Sequence, residues 1–240
     1  MVEQDALETL LSPARMAAYR AAAGGRSDRA ADLYLWATEL AGAFHAQISF
    51  VELAVRNALD PQLGAWNANR GGRREWTDPG AAEGELYHLL GRDIREARRR
   101  AERESAIRAR HHPRQGHPVN HDDLVAQLMF GSWVKLLRPM SNAESSVRQQ
   151  SLWREGLHLA FPGSDSGESG RIAVGSQLDT LRYLRNRVAH HDNLLTVAVS
   201  NRLEAILSVL SKIDASYPAI VMARSALRRL AREDPRKAWT

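Results

Sequence analysis

The chain has 240 residues, 44% of them hydrophobic and 25% charged, which is enough apolar material for a packed core and predicts a globular protein. It contains no Cys, which excludes disulfides and thiolate metal sites and favours a reducing cytoplasm. Its 33 Lys and Arg against 28 Asp and Glu give a net charge of +5 at pH 7, and this Arg-rich excess modestly favours polyanionic partners.

The predicted elements are helices throughout. Apolar residues recur at helical spacing along most of the chain, and alternating runs of β-branched and aromatic residues are missing, which predicts an all-α fold. In chain order, we predict helices at residues 5–23, 28–68, 82–110, 121–138, 144–160, 176–190, 201–215 and 218–233. Gly- and Pro-rich breaks separate them at residues 24–25, 71–72, 78–80, 111–120 and 162–170.

The domain organisation follows from the lack of repeats and linkers. We find no internal repeat and no low-complexity tract, so we predict one helical domain over residues 1–240. Within it we distinguish an N-terminal helix (1–27), a helical core (28–215) and a basic C-terminal extension (216–240). We expect the tail of that extension to be mobile.

The apolar stretches of the sequence are too interrupted to cross a membrane. The most apolar one, residues 48–59, contains Glu52 and Arg56. The first residues have neither a basic start nor a following apolar run. We therefore expect a cytoplasmic protein with no signal peptide and no membrane contact.

Several aromatic, His and Arg residues outside the motifs have simple structural interpretations. Five Trp residues lie in or beside apolar helix faces and are predicted to be core: Trp36, Trp66, Trp76, Trp133 and Trp153. Four His residues lack the companions of a metal site, so we predict no metal: His111, His112, His117 and His121. The Arg-rich helix over residues 92–110 either contacts an RNA backbone or is a solvated face with pairs such as Glu96 and Arg100.

The helix predicted over residues 176–190 carries the strongest candidate site. Its core stripe is formed by Leu178, Leu181, Leu184 and Val188. Asn186 and His190 lie nearly opposite that stripe, and Arg185 lies between the two faces. Arg185 and His190 are five residues apart, about 140° around a helix, so their side chains meet only if the helix ends near Ala189. The following His-Asp-Asn sequence, residues 191–193, is typical of such an end.

Two segments resemble the motifs of a known family. Residues 181–195 read LRYLRNRVAHHDNLL, and residues 48–59 read ISFVELAVRNAL, with a Glu, three residues, and then Arg-Asn. Together they closely resemble the Abi-like (abortive infection) proteins, a branch of the HEPN superfamily. The middle of the chain, including LMFGSW at residues 128–133, fits more loosely. The resemblance implies an HEPN-like helical bundle with additional helices, commonly a homodimer that brings two Arg-and-His motifs around a shared cleft.

The resemblance also implies an activity and the residues that carry it. Many members resemble metal-independent endoribonucleases that need no cofactor and serve as toxins or in phage defence. Residue by residue, Arg185 and His190 match the catalytic pair, and Asn186 matches the polar residue beside the Arg. His191 is a rival for His190. The upstream helix motif supplies the supporting residues Glu52, Arg56 and Asn57.

These residue types suit the cleavage of RNA by attack of a 2′-hydroxyl on the adjacent phosphorus. A His side chain, with a pKa of about 6.5, can accept or donate the proton near neutrality. An Arg guanidinium stabilises the negative charge that develops on the phosphoryl oxygens. The expected products are a 2′,3′-cyclic phosphate and a 5′-hydroxyl. Arg182 and Arg187, on the same helix, are predicted to contact the RNA.

The sequence leaves alternatives open for both residues and function. Glu52 and Arg56, one turn apart, either form an exposed ion pair worth about 0.3 to 0.5 kcal/mol or orient Arg185 or His190. A second hypothesis for the whole protein is a catalytically silent HEPN module that binds RNA, a nucleotide or a partner protein. A third is the toxin of a toxin–antitoxin pair, whose antitoxin or regulatory protein masks or modifies the site.

Overall fold

The computed structural model describes residues 2–141 and 144–239 as an assembly of α-helices. In chain order these are α1 (Val2–Leu11), α2 (Pro13–Ala22), α3 (Ser27–Asn69), α4 (Gly84–Ala106), α5 (His121–Gln127), α6 (Phe130–Lys135), α7 (Val147–Glu155), α8 (Glu168–Ala189), α9 (Val199–Ile213), α10 (Tyr217–Met222) and α11 (Leu227–Arg232). Short 3-10 helices cover Leu157–Ala160 and Pro235–Ala238. These described residues include no β-strand, which confirms the all-α prediction. None of their helices combines the length and the apolar character needed to cross a bilayer.

The 43-residue helix α3 is the centre of the fold. At 1.5 Å per residue it is about 65 Å long. One face is fully buried at intervals of four or seven residues, through Leu33, Leu40, Phe44, Val51, Val55, Leu59 and Leu63. Helices α2, α8, α9 and α11 all pack against it. Helix α3 therefore supports the helix that carries the Arg-and-His motif.

Helix α8 has the predicted core stripe but a different beginning. The four stripe residues are all buried: Leu178, Leu181, Leu184 and Val188. The helix begins at Glu168, whereas the sequence predicts a start at residue 176 and a loop over 162–170. Gly170 and Gly175 are buried inside the helix, and a Cβ on Gly170 would overlap the backbone oxygen of Asp165. Residues 162–167 form the predicted loop, whereas residues 168–170 belong to α8, because the glycines allow close packing inside the helix.

Four of the predicted helices are broken in the structure. The breaks lie at Ser12, at Leu128 and Met129, at Gly156, and between Met222 and Leu227. Ser12 has a φ of 68° and precedes Pro13, which disfavours helical geometry in the residue before it. The break between α5 and α6 contains neither Gly nor Pro, the residues that marked the predicted breaks elsewhere in the chain. The sequence therefore gives no sign of this break.

Aromatic residues contribute to the contacts between the C-terminal tail and the rest of the fold. The five Trp residues predicted to be core are buried. The tail, which was expected to be mobile, packs against other parts of the chain. The Arg236 guanidinium donates to the carbonyl of Leu195 at 2.7 Å and lies 5.6 Å from the centre of the Trp36 ring. Arg29 of α3 lies 5.3 Å from the Trp239 ring. The tail therefore connects the long helix to the loop that follows α8.

Candidate functional site

Helix α8 ends at the point that the Arg-and-His spacing requires. Its last residue precedes His190, which confirms the predicted helix end. His191 has a φ of 54°, the left-handed conformation that commonly terminates helices. The N–H of Asp192 then donates to the carbonyl of Arg187 at 2.8 Å, which closes the terminating turn. Arg185 therefore lies directly before the last turn of the helix, and His190 lies at its C-cap.

Two Arg side chains hold the turn that follows α8. Arg187, predicted from the sequence to contact RNA, donates from Nη2 to the carbonyl of Asn193. Arg15, from α2, donates to the carbonyl of His191. Both contacts stabilise the backbone around the two His residues. In this structure the guanidinium of Arg187 thus has an internal partner.

Arg185 contacts α3 through Glu52. The Nε of Arg185 lies 3.1 Å from Oε1 of Glu52, and the two side chains are 31% and 30% exposed. The Nη1 and Nη2 groups of Arg185 make no hydrogen bond to any described residue. The ion pair therefore fixes one edge of the guanidinium and leaves the other edge open. An open edge of this kind matches two oxygens of a phosphate.

The other residues of the α3 motif do not reach Arg185. Of the two alternatives that the sequence left open, the pair between Glu52 and Arg56 is not formed, because Glu52 binds Arg185, while Nε of Arg56 donates to Oδ1 of Asn57 at 3.4 Å. Asn57 lies 140° around α3 from Glu52 on ideal helix geometry. It lines a shallow pocket formed with α9 and α10. Glu52 is thus the one residue of this motif that contacts α8 through a polar side-chain interaction in the described structure.

His190 and His191 are both exposed at the end of α8. Across residues 2–141 and 144–239, neither imidazole takes part in a hydrogen bond or an ion pair. The structure therefore joins Arg185 to Glu52 but joins neither His residue to Arg185. Both imidazoles remain accessible to a ligand or to a second protein chain.

A cleft of about 190 Å³ lies between α6 and the last turns of α8. Arg182, Arg185 and Asn186 line it from α8. The remaining lining residues were not identified from the sequence: Asp93, Met129, Phe130, Gly131, Ser132, Lys135 and Met140. Four of these residues, 129–132, lie in the segment at residues 128–133 that resembles the family more loosely. That weak resemblance was the signal in the sequence that could have identified them.

Arg182 is already engaged by a neighbour on its own helix. Its Nη2 lies 2.7 Å from Oδ1 of Asp179. The other carboxylate oxygen of Asp179 pairs with Arg138 at 3.2 Å. The guanidinium of Arg182 lies 4.3 Å from the ring of Tyr183. Burial is the largest single influence and lowers the pKa of Arg182, but the hydrogen bond and charge of Asp179, together with Tyr183, outweigh it and raise that pKa above its ordinary value. Arg182 is therefore a fixed, charged wall of the cleft.

The Arg-rich helix α4 also has internal partners. Arg92 pairs with Glu96 at 2.8 Å, in place of the suggested pair between Glu96 and Arg100. Arg100 instead donates to the carbonyl of Gln127 at 2.9 Å. These contacts are those of a surface helix tied to α5, which is one of the two interpretations that the sequence left open.

His121 belongs to a buried polar network. Its Nε2 lies 3.1 Å from Oδ1 of Asp60, and its Nδ1 lies 2.8 Å from the hydroxyl of Thr77. Trp76 donates to the same Asp60 oxygen at 2.9 Å. Burial is the largest single influence and lowers the pKa of His121, yet the hydrogen bond to Asp60 and the charges of Asp60, Asp122 and Asp78 together raise it above the ordinary value. No group of three or more His, Asp or Glu residues within 2–141 and 144–239 is placed to hold a metal ion.

The comparisons with known proteins give one match. The family model described as Abi-like protein matches residues 11–196, which is more than half of the chain. The matched range includes Glu52 on α3 and Arg185 and His190 at the end of α8. It reaches further toward the N-terminus than the predicted core and stops before α9. No curated protein and no solved structure matches the chain.

Proposed function

The chain belongs to the Abi-like protein family, and from this premise we propose that it is a metal-independent endoribonuclease of HEPN type that acts in phage defence. The family suggests the setting of abortive infection. The residues at the end of α8 suggest the reaction, because an Arg and a His in this arrangement suit RNA cleavage. The substrate is RNA, and the proposed active form is a homodimer.

The ion pair between Glu52 and Arg185 is the observation that best supports this proposal. A carboxylate on Nε restricts rotation of the guanidinium, so its two Nη groups point in a defined direction before substrate binds. Preorganised donors of this kind stabilise the charge that develops in a transition state.

The proposed reaction needs a proton acceptor, a proton donor and a stabiliser of charge. The 2′-oxygen loses its proton to an imidazole and attacks the phosphorus, the bond to the 5′-oxygen breaks, and that oxygen takes up a proton. Arg185 binds the phosphoryl oxygens throughout. In a homodimer, His190 of each copy supplies one of the two proton transfers, and His191 is the alternative residue for this role.

The experiment compares purified wild type with His190→Ala, His191→Ala and a control, His117→Ala, which removes an exposed His in the 111–120 loop. Each protein is incubated with structured RNA in EDTA, and the product ends are analysed. Removal of the acid–base residue is expected to lower the rate by at least ~10²-fold, with cyclic-phosphate ends from wild type. If neither wild type nor any variant cuts RNA but all of them bind it, the protein is a silent RNA-binding module instead.

A further inference from the structure

The cleft beside Arg185 has the size of a site for one small ring system. Its volume is about 190 Å³, and it lies between Asn186 on α8 and Met129, Gly131 and Ser132 at the start of α6. Pockets for drug-sized molecules usually begin at about 300 Å³. The cleft is therefore too small for a nucleotide but has room for a single planar group.

The charges around the cleft favour a neutral ligand. Lys135 is paired with Asp93 at 2.7 Å, and Arg182 is paired with Asp179 at 2.7 Å. Each of these two cations thus has a carboxylate partner, which Arg182 shares with Arg138, and this pairing weakens the attraction for a second anion. The open Nη edge of Arg185 is the remaining cationic group on the cleft wall. A phosphate is expected at that edge, and a neutral group is expected in the cleft itself.

The polar and apolar groups of the wall match the edge and the face of a nucleobase. Asn186 is half-buried, lines the cleft and has no side-chain hydrogen bond to the described part of the chain. Its amide offers two donors and one acceptor, the set with which amides bind base edges. Met129 is 47% exposed, and a thioether packs well against an aromatic ring. Unpaired bases in RNA are commonly recognised by such a combination of stacking and edge contacts.

We infer that this cleft binds one unpaired nucleobase of the RNA, directly beside the phosphate held by Arg185, and so sets the nucleotide preference of the cut. The inference rests on the proposed function and adds a substrate class to it: single-stranded RNA with a preferred base at one position next to the cleavage site. Asn186 reads the edge of that base, and Met129 contacts its face.

The structure supplies a variant that fills the cleft with little disturbance. A Cβ at Gly131 would meet only the Cδ of Arg182, at an ordinary 3.7 Å, so Gly131→Leu places its side chain in the cleft without a backbone clash. The matched control is Gly42→Leu, which adds the same side chain on an exposed face of α3 where a Cβ meets nothing within 4 Å. Met129→Ala removes one wall and serves as a second variant if the first fails to fold by circular dichroism.

The first readout is the sequence around the cleavage sites in a random pool of short single-stranded RNA. Wild type and Gly42→Leu are expected to favour one base at one position by about tenfold, the effect of one well-made base contact. Gly131→Leu and Met129→Ala are expected to lose most of that preference, while Asn186→Asp changes which base is preferred. Cleavage by wild type without any base preference would overturn the inference and leave the proposed nuclease intact.

The second readout does not depend on cleavage. Binding of fluorescent oligoadenylate, oligocytidylate and oligouridylate is measured by anisotropy for the same proteins. If wild type cuts no RNA, the nuclease proposal fails, but a base preference in binding that Gly131→Leu removes and Gly42→Leu keeps still supports the cleft. Equal affinity of wild type for the three oligomers and for an unstructured oligomer that contains guanine, or an unchanged preference in Gly131→Leu, rejects it.

Discussion

In the proposed reaction Glu52 is a positioning residue for Arg185, because it binds Nε and leaves the Nη groups open to a substrate. Glu52→Gln keeps the shape of the side chain but replaces a charged hydrogen bond with a neutral one. We expect kcat to fall about tenfold with little change in KM, because the loss concerns orientation in the transition state. Steady-state kinetics on a short RNA measures the two parameters separately.

The control for this prediction is Glu39→Gln, the same substitution at an exposed position of the same helix, where the nearest Arg atom is 4.0 Å away. It is expected to leave both parameters unchanged. If Glu52→Gln behaves like this control, the contact between Glu52 and Arg185 has no part in activity. If Glu52→Gln lowers the thermal stability in proportion to the loss of activity, the role of Glu52 is structural.

The network around His121 predicts a pH dependence of stability. Burial is the largest single influence and lowers the pKa of His121, but the hydrogen bond to Asp60 and the negative charges of Asp60, Asp122 and Asp78 together outweigh it and raise the pKa in the folded protein above its unfolded value of about 6.5. The folded state therefore binds the proton more tightly, and this contribution is complete below the unfolded pKa and is lost as the pH rises through the folded pKa. Urea unfolding of wild type and His121→Gln should differ most at mildly acidic pH.

The difference in unfolding free energy between these two proteins is expected to shrink as the pH is raised past neutrality. His117→Gln is the matched control, since His117 is exposed and its side chain has no hydrogen bond in the described structure. A constant difference across the pH range would show that His121 contributes through packing and not through its charge.

The residues of the α8 motif were identifiable from the sequence, because the proposed reaction requires particular residue types at a helix end. A contact between Glu52 and Arg185 was one of two alternatives, and the sequence could not choose between them, because the residues lie 133 positions apart and meet only once α3 and α8 are packed together. The role of Arg187 was also hidden, since its partner is a backbone carbonyl that every residue possesses. Local spacing reveals candidate side chains but not which of them the fold engages.

At the scale of elements, the start of α8 depends on a glycine that permits close contact. Gly170 is buried, and a Cβ there would overlap the backbone oxygen of Asp165, which cannot rotate away. We expect Gly170→Ala to lower the free energy of unfolding by about 1 to 3 kcal/mol through overpacking. Gly42→Ala, on an open face of α3, is expected to raise it by about 0.5 to 1 kcal/mol. Urea denaturation of both variants provides the comparison, and a neutral Gly170→Ala would contradict the packing argument.

The break between α5 and α6 shows why periodicity alone did not locate every helix end. Leu124 and Trp133 are nine residues apart, so they would point in opposite directions on one continuous helix at 100° per residue. Both are buried, at 0% and 2% exposure. The extended backbone at Leu128 and Met129 lets both side chains enter the core. Helix type was thus predictable here from composition, whereas the break follows from packing against the rest of the molecule.

At the scale of the whole molecule, the helices that follow the residues matched by the family model pack against the part of the chain that carries the candidate site. The buried apolar residues form one cluster that runs from Met16 on α2 to Leu230 on α11. Trp36 of α3 donates to the carbonyl of Leu230 at 2.9 Å. Because α9 and α11 both pack on α3, a substitution in the C-terminal segment can alter the packing of α3, the helix that holds Glu52. The mobile tail expected from its charge is instead held by these contacts between distant parts of the sequence.

Arg236 is the residue through which this segment contacts the loop after α8. It pairs with Asp234 at 2.7 Å, donates to the carbonyl of Leu195 at 2.7 Å and lies over Trp36. We expect Arg236→Gln to lower the free energy of unfolding by about 1 to 3 kcal/mol, because it removes charged hydrogen bonds to partly buried groups. Hydrogen–deuterium exchange of residues 190–196 should become faster, since the loop loses its anchor. Arg228→Gln, at an exposed position without a hydrogen-bond partner among the described residues, is the control, and equal exchange in the two variants would show that the tail does not hold the loop.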